Sequence, residues 1–136
     1  MKLYEATGRS AQAAEWKTKA TKWYRKEVEQ YRKAADLGNA QALNGLGWLL
    51  ATCEDSAIRD GNSAVTFAEK AVAATNRKDP MFLDTLAAAY AEAGEFSKAV
   101  GVQNEAIGLL QNETLKKELA TRLKLYESNS PYRAHD

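Results

Sequence analysis

Hydrophobic side chains in this sequence recur every three or four positions, which is the spacing of one face of an α-helix. The longest such pattern covers Arg9–Leu37, a stretch that contains no Pro or Gly. Its small and apolar positions are Ala13, Trp16, Ala20, Tyr24, Val28, Tyr31 and Ala35. Strand-like alternation of apolar and polar residues does not occur anywhere in the sequence. The pattern therefore predicts an all-α fold that begins with one long helix.

Turn and capping residues divide the rest of the chain into shorter helices. We predict these helices at 40–52, 62–75, 80–93, 95–110 and 113–126. An Asn or Asp side chain accepts hydrogen bonds from the free N–H groups at the start of a helix. The residues in position to do so are Asn39, Asp60, Asp79 and Asn112. Gly38 and Gly94 suit the left-handed conformation that commonly follows a helix, and the polar stretch 53–61 is predicted to be an irregular loop.

Two helical hairpins in the middle of the chain share one pattern, about forty residues apart. The key positions of the second hairpin are Leu83, Leu86, Ala87, Tyr90, Gly94, Phe96, Ala99 and Ala106. Those of the first are Leu43, Leu46, Gly47 and Leu50, followed after a longer loop by Ala64, Val65 and Ala71. Small residues let paired helices approach closely, and larger ones fill the space between hairpins. One hairpin cannot bury such a face alone, so the repeat predicts a stack.

These positions resemble the tetratricopeptide repeat, a helical hairpin of about 34 residues. Pro80–Glu113 agrees well and departs at Gln103, where an aromatic residue is usual, and at Gln111, where Pro is usual. The stretch Tyr31–Ala40, which ends in Gly-Asn-Ala, is similar to the Sel1-like subtype. The resemblance implies a right-handed α-α superhelix of antiparallel helical hairpins, closed by a C-terminal capping helix.

The resemblance also implies a division of the chain into five parts. We expect a partial first repeat merging into a long basic helix (1–38), a repeat with an extended loop at 53–61 (39–78), a full repeat (79–111), a capping helix (112–127) and a flexible tail (128–136). The partial first repeat rests on Tyr4, Gly8, Ala13 and Ala20. An incomplete first repeat is what we expect of the C-terminal portion of a longer array.

For this family the implied function is the binding of a protein or peptide on the concave face, which the first helices of the hairpins line. By position, the contacting residues would be Gln41, Asn44, Trp48, Thr52, Met81, Asp84, Ala88 and Glu92. Trp48 has two interpretations, packing beneath the long basic helix or anchoring a ligand. The clamp of Lys, Asn and Arg that the family uses for acidic tails is absent. A basic or apolar segment would suit Asp84 and Glu92 better.

Three other functions remain to be considered, and the charge distribution bears on one of them. The chain has a net charge of +1, but residues 1–40 carry nine Lys and Arg against five Asp and Glu. We consider nucleic-acid binding unlikely, because Glu27 and Glu29 interrupt the basic run and the aromatics lie on the apolar stripe. The alternative functions are oligomerisation through that stripe, or a regulatory C-terminal domain of a larger, enzymatic protein.

Chemistry is not expected of this chain. Cys53 and His135 are the only residues of their types. The sequence therefore predicts no intramolecular disulfide, no metal site and no catalytic Cys/His pair within the folded part of the chain. We therefore expect no cofactor and no catalytic site. A membrane-spanning helix needs roughly 20 mostly apolar residues, and the sequence has no such run. The start, Met1–Glu5, lacks the apolar core of a secretion signal, so we expect a cytoplasmic location.

Overall fold

The computed structural model describes residues 3–134, with side chains from residue 11 onward. Over this range the chain is all-α and contains no strand, which confirms the predicted class. The helices are α1 (Leu3–Asp36), α2 (Ala40–Thr52), α3 (Gly61–Ala74), α4 (Pro80–Glu92), α5 (Phe96–Leu109) and α6 (Glu113–Glu127). Five of them agree with the predicted bounds within one or two residues. Helix α1 is continuous through Gly8, so no turn separates a partial first repeat from the long helix.

The predicted capping residues determine where the helices begin and end. The side chains of Asn39, Asp60, Asp79 and Asn112 each accept a hydrogen bond from a backbone N–H two or three residues further on. Gly38 and Gly94 adopt φ values of 82° and 84°, which only glycine takes at little cost. After α1 the N–H of Asn39 also bonds to the carbonyl of Ala34 at 3.3 Å, which closes the helix end. These predictions are confirmed.

Each helix packs against the next one in the chain, and α2 also packs against α4. The core contains Leu46, Leu83, Leu86 and Leu119, each at most 1% exposed. Full burial of one such leucine stabilises the fold by about 1.5–3 kcal/mol. Small residues lie where helices cross: a Cβ added to Gly47 would lie 3.3 Å from the Cβ of Ala68. Large side chains and small ones, at the positions that the repeat pattern predicts, therefore bury the apolar faces of α2 to α6.

Helix α1 joins this core only over its second half. Tyr24 and Ala35 are buried, and Tyr31 packs so closely on α2 that a Cβ added to Gly45 would meet its ring at 2.7 Å. In contrast, every residue from 11 to 20 is exposed, including Trp16 at 71%. The second half of the predicted apolar stripe is thus buried, whereas none of the described residues covers its N-terminal part.

The loop between α2 and α3, predicted to be polar and irregular, is packed against the fold. Cys53, Asp55 and Ile58 are buried, and the N–H of Asp60 bonds to the carbonyl of Leu50 at 2.9 Å. A hydrogen bond from the Thr21 hydroxyl, together with one from a backbone N–H of the loop, lowers the pKa of the Asp55 carboxyl. The loop therefore fastens the second half of α1 to α2. None of the helices within residues 3–134 is long and apolar enough to cross a membrane.

Candidate functional site

Helices α2 and α4 lie side by side, and one side of this pair is covered by α6 and by the end of the chain. We call this side the α2/α4 face and residues 128–134 the C-terminal segment. The face carries Trp48 and Thr52 from α2, and Asp84 and Glu92 from α4. Each of these four residues contacts either α6 or the C-terminal segment. These contacts define the candidate site.

A buried ion pair closes the middle of the face. The Asp84 carboxylate accepts two hydrogen bonds from the Arg122 guanidinium of α6, at 3.0 Å and 2.9 Å. It accepts a third from the Gln103 side-chain amide at 2.9 Å, and that amide also donates to the carbonyl of Leu119 at 3.0 Å. Burial would lower the pKa of Arg122, but the attraction and the hydrogen bonds of Asp84, with smaller contributions from Tyr126 and Tyr132, together raise that pKa. Asp84 is 2% exposed and its bonding capacity is used within the chain.

An aromatic cluster lies beside this ion pair. The rings of Trp48 and Tyr132 are 5.6 Å apart between centroids, and they are tilted by 42°. The Arg122 guanidinium lies 5.6 Å from the centroid of the Trp48 ring and 5.1 Å from that of the Tyr132 ring. A cation at this distance from an aromatic face is attracted by the ring quadrupole. Arg122 thus links the buried carboxylate to the part of the face that the C-terminal segment covers.

A second ionic contact holds the next residue of the segment. One Arg133 nitrogen lies 2.6 Å from a Glu92 carboxylate oxygen. The other Glu92 oxygen lies 3.5 Å from the Nε of Arg59, which belongs to the loop between α2 and α3. Arg59 in turn donates to the carbonyl of Cys53 at 2.7 Å. Glu92 is therefore held between two guanidinium groups, one fixed in the fold and one supplied by the C-terminal segment.

The backbone of the segment makes the third contact. The N–H of Ala134 donates to the carbonyl of Thr52, the last residue of α2, at 2.9 Å. Ala134 also borders a cavity of about 130 Å³ together with Trp23, Tyr24 and Trp48. The sequence predicts a flexible tail over 128–136, which stays a prediction; residues 130–134 are non-helical and partly buried. His135 lies outside the described residues.

The predicted contact residues divide into three groups on this face. Gln41 and Met81, at the starts of α2 and α4, are exposed. Asn44, Trp48 and Glu92 are half-buried, and the Oδ1 atom of Asn44 accepts no hydrogen bond from the described residues. The buried residues are Thr52, Asp84 and Ala88.

This burial limits what a partner could contact. Asp84 in particular meets the chain's own Arg122, so it offers no free carboxylate to a basic ligand. Trp48 packs beneath the C-terminal segment, and it borders a cavity at the second half of α1. Neither of the two simple interpretations of this ring, core beneath the basic helix or open anchor, describes it fully.

Sequence reasoning missed the residues that occupy the face. Arg122, Tyr132 and Arg133 were not singled out, because their contacts join positions 38 or more residues apart in the chain. Gln103 stands where the resemblance stated above leads us to expect an aromatic residue. In the structure the Gln103 amide bridges Asp84 and the backbone of α6. A polar residue at an expected aromatic position could have pointed to a buried polar partner.

The described residues hold no group of three or more His, Cys, Asp or Glu side chains that could bind a metal ion. Burial is the main cause that raises the pKa of the Cys53 thiol, so this thiol stays protonated and unreactive near neutral pH. Comparisons with protein-family models, with curated proteins and with solved structures found no match to this chain. The function of this chain is therefore inferred from the geometry of the α2/α4 face.

Proposed function

We propose that this chain is a non-catalytic protein–protein interaction module that binds a non-helical protein segment on the α2/α4 face. The observation that carries the proposal is that this face already holds such a segment. An aromatic ring, a guanidinium and a backbone N–H of residues 132–134 each have a partner there. Contacts of these three kinds are what a groove for an extended peptide provides.

We further propose that the hairpins α2–α3 and α4–α5 stack as in tetratricopeptide repeats, with α6 as the capping helix. The α2/α4 face would then be the concave side of a right-handed superhelix. The packing of α2 on α4 and of α3 on α4 supports this arrangement. A face built from helices that are already ordered leaves most of the entropic cost of binding to the partner's segment.

Trp48 provides the test of this function. The full chain, Trp48→Ala and the control Trp16→Ala are applied to an array of short synthetic peptides of varied sequence. We expect the wild-type chain and Trp16→Ala to retain the same subset of peptides and Trp48→Ala to lose it, because only Trp48 lies on the α2/α4 face. Urea unfolding of each variant shows whether it is folded. If both tryptophan variants retain the same peptides, binding does not use this face.

A second candidate function is self-association through the exposed aromatic side of α1, which includes Trp16 and Trp23. Residues 11–20 are all exposed, and Trp16 and Trp23 are 71% and 54% exposed. Exposed aromatic side chains along one helix are a common mark of an interface. Sedimentation velocity of the wild type and of Trp16→Ala with Trp23→Ala tests it. A wild-type chain that stays monomeric at high micromolar concentration would rule this function out.

A further inference from the structure

We propose that the partner of the α2/α4 face carries an aromatic residue followed directly by an arginine, and that residues 131–134 of this chain occupy its place until it binds. The proposal rests on the proposed function, since it takes the face to be a site for a protein segment. It adds the chemistry of that segment and the way in which access to the site is controlled.

The position of Tyr132 defines the first requirement. Its ring lies 5.6 Å from the Trp48 ring and 5.1 Å from the Arg122 guanidinium, which are themselves 5.6 Å apart, so the three groups are in mutual contact. Arg122 cannot turn away to meet a different group, because two hydrogen bonds hold it on Asp84. A ring in this place gains an aromatic contact and a cation–π contact together. An aliphatic side chain would gain neither, so this subsite favours an aromatic residue.

Glu92 defines the second requirement. Its carboxylate faces Arg133 at 2.6 Å, while Arg59 reaches the other oxygen at only 3.5 Å. Removal of Arg133 would therefore leave one half-buried oxygen without its close cationic partner. A half-buried carboxylate of this kind favours a cation, and in this chain one nitrogen of the Arg133 guanidinium supplies it. The subsite next to the aromatic one thus selects arginine.

The third position is read only through its backbone. Ala134 contributes an N–H group to the carbonyl of Thr52. Every residue except proline has this N–H group. The recognised pattern is therefore an aromatic residue, an arginine and then any residue other than proline, which is the order Tyr132-Arg133-Ala134 in this chain.

The C-terminal segment is also a competitor for the site. It follows directly on α6, which ends at Glu127, so the tether to Tyr132 is only a few residues long. A short tether gives an effective concentration in the millimolar range. A partner that binds only the uncovered face has an apparent affinity equal to its intrinsic affinity multiplied by the fraction of chains that are uncovered. If the segment itself binds the face with a Kd of ~100 µM, an effective concentration of ~1 mM covers about ten chains for each uncovered one, and any partner is weakened about tenfold.

The experiment uses the full chain and the synthetic peptide of residues 130–136, labelled for fluorescence anisotropy. The wild type is compared with a variant that carries Tyr132→Ala and Arg133→Ala, in which the competitor is impaired. We expect the variant to bind the peptide about tenfold more tightly than the wild type. In the variant, Glu92→Gln should reverse the gain, whereas Glu118→Gln, a matched change on the exposed side of α6, should leave it intact.

Peptides with changes at the three positions complete the test. Replacement of the peptide's Tyr or Arg by Ala, or of its following Ala by Pro, should abolish binding. Equal affinity of wild type and variant for the peptide would overturn the competition, and cooperative unfolding in urea must show that the variant is folded. If it is not, Arg133→Ala alone takes its place.

The two proposals fail in different ways. If the impaired variant retains array peptides through Trp48 and Glu92 without a preference for the aromatic–arginine pair, the pattern is wrong and the proposed function stands. If it retains no peptide at all, both are wrong.

Discussion

Asp84→Asn should lower the free energy of unfolding of this chain by about 3 kcal/mol, because it leaves the Arg122 guanidinium buried without its counter-ion. The Asp84 and Arg122 side chains are only 3% and 11% exposed, and two hydrogen bonds join them. Loss of one member of a buried ion pair typically costs about 3–5 kcal/mol. We place this variant at the lower end, because Asn keeps one acceptor oxygen for Arg122.

Urea unfolding followed by far-UV circular dichroism measures this loss. Glu118→Gln on the exposed side of α6 serves as the control and should stay within about 0.5 kcal/mol of the wild type. Replacement of both partners, Asp84→Leu with Arg122→Met, should restore much of the loss, since an apolar pair leaves no buried charge. A loss below about 1 kcal/mol for Asp84→Asn would show that this pair does not hold α6 on the face.

Three further changes test the packing and the electrostatics of the fold. Gly61→Ala should destabilise by about 1–3 kcal/mol, because the added Cβ would lie 2.8 Å from the backbone nitrogen of Ala93. A Cβ added at Gly101 in α5 meets nothing within 4 Å, so Gly101→Ala should stabilise by about 0.5–1 kcal/mol. Equal melting temperatures for the two variants would contradict the close approach of α3 to the end of α4. Ala99→Leu should cost about 1–3 kcal/mol by overpacking the α4–α5 hairpin, and unchanged melting would refute that assignment. Burial, and then the hydrogen bond to a carboxylate of α3, raises the pKa of Tyr90 to about 12. Because this pKa exceeds the ordinary value of 10.0, the contribution of Tyr90 to the free energy of unfolding is complete below pH 10 and is lost towards pH 12. Ultraviolet titration of the wild type against Tyr90→Phe measures the pKa.

The features that sequence reasoning predicted well are those encoded within a few residues. Asn39, Asp60, Asp79 and Asn112 precede helices and can reach the free N–H groups of the first turn without help from distant residues. The apolar period of α2 and α4 likewise identified their buried sides. It could not show which exposed positions another part of the chain would cover.

The C-terminal segment shows why a local pattern cannot predict which positions another part of the chain covers. Residues 128–131 read Ser-Asn-Ser-Pro, a composition that does end α6, and the short stretch after it has no apolar period. Its place in the fold depends on contacts such as Arg133 with Glu92, which lie 41 positions apart. No local pattern records such a pairing. That Asp84 and Glu92 suit a basic or apolar ligand stays a prediction; within the chain, Arg133 is the basic side chain that lies against Glu92.

The α2/α4 face therefore has two parts, one that α6 covers permanently and one that the C-terminal segment covers and can uncover. Asp84 is covered by α6, and separation of Asp84 from Arg122 would cost a large share of a typical folding free energy. The C-terminal segment gains about 1–2 kcal/mol from Arg133 on Glu92, about 1 kcal/mol from the Ala134 N–H and about 1 kcal/mol from the Tyr132 ring. Ordering the backbone of four residues costs roughly 4–8 kcal/mol, less for Pro131 with its fixed φ, and burial of the tyrosine ring offsets part of this. Because gain and cost nearly cancel, only a small net preference keeps the segment on the face, and a partner that offers the same contacts can replace it while α6 remains.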